Sequence, residues 1–336
     1  MQASNVSRDM IPLGDGVLNI RKQAGWTSHD VVARLRKMLR GVKVGHAGTL
    51  DPAATGVLPI LIGRGTRIAE YLLDWDKEYR AILRLGETTD TLDAAGTVLE
   101  RRPTDGLTEE AIHRTVASFR GRIQQMPPMY SAVKIHGVPL YKSARQGRVV
   151  ERAMREVIVH TLEVEQVSGR DVRLRVVCSK GTYIRSLCAD IGEGLLVGGH
   201  LLALERSKVG PLAVEEAMTV EGVETRLRAG MMILSMLPLD AALAGLPACR
   251  VSPEAARGVL HGVPVPCESV LGWECRLSEQ NPRHAEPVRI KDAEGRLLAI
   301  GLLERERSDL GRGTQSGQRI AVKKLLVSEE AATCVP

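Results

Sequence analysis

The chain has 336 residues, 44% hydrophobic and 26% charged, with 33 glycines and 16 prolines. These values exclude collagen-like, disordered and coiled-coil classes and leave room for one to three domains with full cores. Lysine and arginine total 46 against 40 acidic residues, a net charge of +6 that favours an anionic partner.

The six cysteines form no Cys-x-x-Cys pair and no zinc-type spacing. No apolar run reaches the ~18 residues of a membrane span, and Met1–Gly16 shows no charged segment followed by an apolar one. A reduced, cytoplasmic protein without membrane span, secretion signal or metal site is the expectation. Aromatic residues are only 3%, so Tyr79, Tyr130 and Tyr183, which stand in polar motifs, need a reason other than core filling.

In chain order, Val17–Ile20 predicts a strand. Thr27-Ser28 predicts a helix start, with Val31, Val32, Leu35, Met38 and Leu39 as its apolar face and Gly41 as its stop. Its other face carries Arg34, Arg36, Lys37 and Arg40. Lys77–Leu85 alternates as a half-buried strand with Tyr79 inward. Residues 108–119 predict a helix, and 157–164 and 171–178 two strands turning at Ser168–Asp171. A further helix follows Thr182, with Ile184, Leu187, Cys188 and Ile191 as its stripe and Arg185 in its first turn.

Residues 134–155 hold Lys134, Lys142, Arg145, Arg148, Arg152 and Arg155 against the single acid Glu151, which predicts a basic excursion from a sheet. Beyond Gly245-Leu246-Pro247, short apolar runs between Gly and Pro predict a small β-rich unit over 249–330. Residues 249–336 are nearly neutral, thirteen basic against twelve acidic, so the positive excess lies before them.

Gly45-His46-Ala47-Gly48-Thr49-Leu50-Asp51-Pro52-Ala53-Ala54-Thr55-Gly56 is the densest candidate site. The proline pushes Asp51 to extended geometry, which suits a carboxylate held at a cleft, although Asp-Pro more often closes an Asx turn. There is no His-Glu-x-x-His, Walker loop, Gly-x-Gly-x-x-Gly or Gly-x-Ser-x-Gly. What remains is a site without cofactor or metal, in which a carboxylate nucleophile is kept ionised by a cation, with Asp51 and Arg185 as the natural pair.

Gly45–Gly56, Lys77–Arg80, Arg84-Leu85-Gly86-Glu87-Thr88-Thr89-Asp90-Thr91-Leu92-Asp93-Ala94-Ala95-Gly96, Gln125–Lys134 and Ser179–Arg185 together resemble the TruB family of RNA pseudouridine synthases. The resemblance spans about residues 16–215 in matching order. It implies an isomerase that converts a uridine in the tRNA T-loop, position 55, to pseudouridine. Asp51 then matches the nucleophile, Tyr79 the tyrosine that stacks on the flipped base, and Arg185 the arginine paired with the aspartate. His46, Tyr183 and Leu204 match positions around the base pocket, with a core role equally open for Leu204. Lys22 is what survives of an Asp-Lys-Pro motif, here Arg21-Lys22-Gln23, and is expected to contact substrate.

Asp51 has three routes open: attack at C6, addition at C1′, or abstraction of the 2′ proton. Each needs an anion, and the Arg185 pairing is expected to lower its pKa. Lys134, Lys142, Arg145, Arg148, Arg152 and Lys180, with the basic helix face, are expected to grip RNA phosphates.

The resulting expectation is an α+β protein in two domains. Residues 12–248 form a mixed-sheet catalytic domain with a thumb-like insertion at about 134–155, and 249–330 form a small β-barrel resembling PUA domains. The expected partner is the T-arm of tRNA, with the protein a monomer needing no other protein. The rivals are a guide-RNA-dependent synthase of a ribonucleoprotein and a non-catalytic tRNA-binding or folding factor.

Overall fold

Thr27 starts the first helix by a reciprocal cap. Its hydroxyl accepts the Asp30 N–H at 3.1 Å while its own N–H donates to the Asp30 carboxylate at 2.8 Å, setting the start of α1 (Ser28–Met38). The helix packs on β1 (Gly16–Lys22), β2 (Val44–His46) and β3 (Thr55–Ile62). This computed structural model describes residues 14–131, 133–135, 137–144, 146–148, 150–229, 235–274, 286–304 and 318–327.

Leu18, Ile20, Leu58, Ile60 and Ile62 pack beneath α1, whereas Val17, Val57 and Leu61 point into a second cluster with Ile68, Leu72 and Leu239. Burial on both faces is why Thr55–Ile62 reads as an almost unbroken apolar run. After α2 (Ala69–Leu73), strand β4 (Lys77–Leu85) turns Tyr79, Ala81, Leu83 and Leu85 into a third cluster. Its other face is polar, with Glu78 and Arg84 paired to Arg175 and Asp171.

The hairpin β5 (Glu87–Thr89) and β6 (Val98–Arg101) encloses the Asp90–Gly96 motif. Then come α3 (Glu109–Ser118) and β7 (Gly121–Gln125). The basic excursion is a short ladder, β8 (Lys134–Ile135) with β9 (Val138–Pro139), followed by α4 (Leu140–Ala144). It leaves and re-enters the sheet between neighbours, since Gln125 of β7 pairs with Arg155 of β10 (Arg155–Ser168).

β11 (Asp171–Cys178), α5 (Ile184–Gly194), β12 (Gly199–Val209), β13 (Leu212–Ala213), α6 (Val220–Arg228), β14 (Met236–Leu237) and α7 (Leu239–Ala242) complete this unit. Its main strand order is β14-β1-β3-β12-β4-β11-β10-β7. All pairings are antiparallel except β12 with β3, where Glu205 and Arg206 face Thr55 and Gly56. That parallel contact joins the two halves of the sheet. Helices α1 and α6 cover one half, α3 and α5 the other.

From Ala248 a second, six-stranded sheet begins: β15 (Ala248–Val251), β16 (Val265–Pro266), β17 (Val270–Glu274), β18 (Glu286–Lys291), β19 (Leu297–Glu304) and β20 (Arg319–Leu325). It is not purely β. Ser252 caps α8 (Pro253–Leu260), whose Ala256 and Val259 fill the local core. Ile300 and Leu326 join the cluster of Val17 and Leu61, and Asp240 bridges Arg289 at 2.7 Å and Lys291 at 2.9 Å, so the second sheet is docked on the back of the first.

Candidate active site

Asp51 lies between β2 and β3 in a loop tied down on several sides. The Leu50 N–H donates to the Ser28 hydroxyl at 2.9 Å, the Pro52 carbonyl accepts from Gly25 N–H, and Ala54 N–H donates to the Asp51 carbonyl. Gly48 and Gly56, at φ +95° and +102°, let the loop turn away from β2 and back into β3. The Asp51 carboxylate closes no Asx turn. It receives Arg185 as a fork, Nε to Oδ2 at 2.9 Å and Nη2 to Oδ1 at 3.2 Å.

Arg185 is 4% exposed and shared by three loops. Nη1 donates to the Thr91 carbonyl at 3.2 Å, Nη2 donates to the Tyr130 carbonyl at 2.7 Å, and the Asp93 carboxylate lies 3.7 Å from Nη1. Asp93 is fixed by Thr91 Oγ1 at 2.6 Å and the Ala95 N–H at 3.1 Å, in a turn that holds Leu92 at φ +62°. The start of α5, which carries Arg185, is clipped by Gln125. Its Nε2 donates to the Tyr183 carbonyl and its Oε1 accepts the Tyr183 N–H. Ser186 Oγ donates to the Met126 carbonyl beside it.

The Arg185 pairing was expected to lower the Asp51 pKa, and the net effect is the reverse. Although 41% of the side-chain surface is open, protein crowds the carboxyl closely enough that lost hydration, with help from the Asp93 charge, outweighs Arg185 and Lys22 and holds the pKa above the ordinary value. A less stabilised carboxylate is a better base and nucleophile.

Tyr79 projects from β4 into the core cluster and is 9% exposed. Burial pushes its phenol up to about 12, against the opposing pull of Arg206, so at neutral pH it is a neutral ring and not a base. His46 ends β2 with Nδ1 buried and, among the described residues, unpartnered, and burial together with the Arg206 and His29 charges lowers its pKa. Tyr183 caps α5 and is half-buried. Leu204 packs against the cluster that holds Tyr79.

Two further expectations need correction. Lys22 was expected at the substrate, but it is fully buried, and its Nζ donates to the Gln23, Trp26 and Pro52 carbonyls at 3.0, 2.6 and 3.0 Å. All three ammonium hydrogens are used in pinning the loop after β1 to the Asp51 loop, and desolvation lowers its pKa to about 8. Arg152 was expected to grip RNA but is half-buried, donating to the Pro127 carbonyl at 2.9 Å, with Nε buried and without a partner among the described residues. On the basic face of α1, Arg36 donates twice to the Val44 carbonyl.

Lys142 and Arg148 are exposed, and Lys180 is exposed in a 2.6 Å pair with Asp74. Arg145 and the side chain of Lys134 lie outside the described residues. Among the described residues no cluster of His, Cys, Asp and Glu is arranged to hold a metal, and no helix is long and apolar enough to cross a membrane.

Sequence reasoning missed Asp93, which lies inside the Arg84–Gly96 motif, and Arg206, which lies two residues past Leu204. Arg206 is 2% exposed and donates to the Val57, Thr49 and Gly48 carbonyls at 2.8, 3.3 and 3.1 Å, around the Asp51 loop.

Residues 36–184 match the family model of the TruB pseudouridylate synthase N-terminal domain, and residues 185–244 that of the tRNA pseudouridylate synthase B C-terminal domain. A tRNA pseudouridine synthase B of Thermobifida fusca is 44% identical over 297 residues, covering 86% of this chain and 94% of that protein. One of Stutzerimonas stutzeri is 40% identical over 332 residues, covering 98% and 99%. Among solved structures, a Cbf5-Nop10-Gar1 complex matches with TM-score 0.73 and 29% identity, over 96% of this chain and 88% of that chain. An H/ACA RNP bound to a substrate RNA containing 2′-deoxyuridine matches with TM-score 0.70 and 27% identity, over 94% and 86%.

Proposed function

The chain belongs to the TruB family of pseudouridylate synthases, and from that membership we propose that it isomerises uridine 55 in the T-loop of tRNA, with Asp51 as its nucleophile. The observation that carries the assignment of Asp51 is its fork with the buried Arg185, a carboxylate–guanidinium pair on which the Asp51, Asp93 and Tyr130 loops all converge.

The reaction keeps every atom. The bond from C1′ to N1 is replaced by one from C1′ to C5, and the proton lost from C5 is balanced by one gained at N1. A uridine stacked in a folded loop must first be extruded, which costs a few kcal/mol and needs a surface to receive the base. Tyr79 supplies an aromatic face, and His46 Nδ1 a buried polar atom without a partner among the described residues. Asp51, as anion, attacks C6, adds at C1′ or removes the 2′ proton. In each route Arg185 orients it without neutralising it. The freed uracil must turn before it reattaches, so the hollow has to retain it and exclude water.

RNA grip falls to Lys142, Arg148 and Lys180, which are exposed, while Arg152 braces the base of the insertion. Residues 12–248 form the catalytic domain, and 249–330 a PUA-like unit whose near-neutral charge gives it a light RNA contact. The protein acts as a monomer in the cytoplasm, where its free cysteines Cys178, Cys188, Cys249 and Cys267 stay reduced. One of the solved relatives above is part of a ribonucleoprotein bound to a substrate RNA and the other is a Cbf5-Nop10-Gar1 complex, which favours a guide-dependent reading. The higher identity to the tRNA pseudouridine synthases named above favours the stand-alone one. Incubating pure protein with unmodified tRNA transcript, followed by mass-resolved mapping, decides between them. One pseudouridine in the T-loop is expected, and none without added proteins or guide RNA overturns the proposal.

A further inference from the structure

Arg206 is among the largest fully buried side chains, and among the described residues no carboxylate pairs with it. Taking a charge out of water without a counter-ion is unfavourable unless its donors are all well used. Here they are used on one object. Nη2 and Nη1 donate to the Gly48 and Thr49 carbonyls just before Asp51, and Nε donates to the Val57 carbonyl just after Gly56. The Arg206 backbone lies so close to Gly56 that a Cβ there would stand 2.2 Å from its carbonyl oxygen. Side chain and main chain of one residue therefore clamp both ends of the loop that presents Asp51.

Arg206 stands directly opposite Tyr79 where β12 pairs with β4. Tyr79 lies within electrostatic reach of Asp51 as well as of Arg206.

We propose that Arg206 is a positioning residue of the reaction: it fixes the Asp51 loop at both ends and so holds the Asp51 carboxylate where the extruded uridine must meet it. The inference rests on the reading of Asp51 as nucleophile. Its consequence is that charge alone is not enough at position 206. A lysine there reaches one or two of the three acceptors and leaves the rest loose.

The test uses the full chain and unmodified tRNA transcript, with single-turnover rate, tRNA Kd and thermal midpoint measured for Arg206→Lys and Arg206→Ala. For Arg206→Lys, the expected result is a rate lowered about 30-fold or more at a temperature where the protein is fully folded, with Kd within about threefold of wild type. For Arg206→Ala, millimolar guanidinium ion is expected to raise the rate about tenfold, while ammonium ion at equal ionic strength does not.

A rate for Arg206→Lys within threefold of wild type, or a loss that only follows the unfolded fraction, overturns the inference, whether or not Arg206→Ala folds. Asp51→Asn is measured beside them. If it keeps its rate, the nucleophile assignment fails. If it is inactive while Arg206→Lys is unimpaired, only the role of Arg206 fails.

Discussion

Replacing Gln125 by leucine, nearly equal in size, removes the amide clip on Tyr183 while filling its place at a site 1% exposed. The Tyr183 N–H loses its acceptor at 2.9 Å, whereas the Tyr183 carbonyl keeps the Leu187 N–H at 3.0 Å after losing Gln125 at 3.1 Å. An orphaned, half-buried donor costs ~1–3 kcal/mol and a lost second bond to a carbonyl ~0.5–1.5 kcal/mol, together roughly 2–4 kcal/mol. For a unit of this size that lowers the melting midpoint by roughly 4–16 °C.

Arg185 follows Tyr183 by two residues, so loosening this turn also misaligns the fork on Asp51, and the single-turnover rate is expected to fall ~10- to 100-fold. Gln125→Glu keeps an acceptor for the N–H but sets a carboxylate oxygen against the Tyr183 carbonyl, and is expected to do no better. Thermal melts and single-turnover assays check both variants. A midpoint within ~1 °C of wild type and a rate within twofold for Gln125→Leu would refute the reasoning.

Asp51 must be ionised to react and its pKa is raised, so the rate is expected to fall with decreasing pH at values above the ordinary aspartate range. Arg185→Gln, which removes a lowering influence, should move that acid limb to higher pH in a pH–rate profile. By the same linkage the ionised carboxylate opposes folding above its unfolded-state pKa, so Asp51→Asn is expected to melt higher than wild type near neutral pH, the difference shrinking as pH falls. Lys22→Met leaves the Gln23, Trp26 and Pro52 carbonyls without its ammonium and is expected to lose roughly 2–4 kcal/mol in denaturant unfolding, with tRNA affinity little changed. Lys142→Glu and Arg148→Glu should weaken tRNA binding and flatten the plot of log affinity against log salt by ~0.7–0.9 for each phosphate no longer neutralised; an unchanged slope removes these residues from the RNA surface.

Features set by neighbouring residues are legible in the sequence. The Thr27 cap, the alternation of Lys77–Leu85 and the stripe of α5 appear where local chemistry places them. Strand β12 does not read as a strand because bulges near Leu201–Ala203 and Arg206–Lys208 break its alternation, and the buried role of Arg206 is hidden with it. Lys22 reads as a substrate contact because the acceptor that ties it to another loop, the Pro52 carbonyl, lies thirty residues further along the chain. The sign of the Asp51 shift depends on how closely other segments crowd the carboxyl, which the spacing of Asp51 and Arg185 does not encode. Helix α8 is signalled by Ser252-Pro253, yet it sits within a stretch whose short apolar runs read as strands.

The central claim is that Asp51, on its Arg185 fork, carries out the chemistry. The most direct test measures pseudouridine formed in unmodified tRNA by Asp51→Asn, with tRNA affinity measured on the same preparation. The account predicts product formation reduced roughly 10⁴-fold or more with binding nearly intact. Pseudouridine made at a rate comparable to wild type would contradict it.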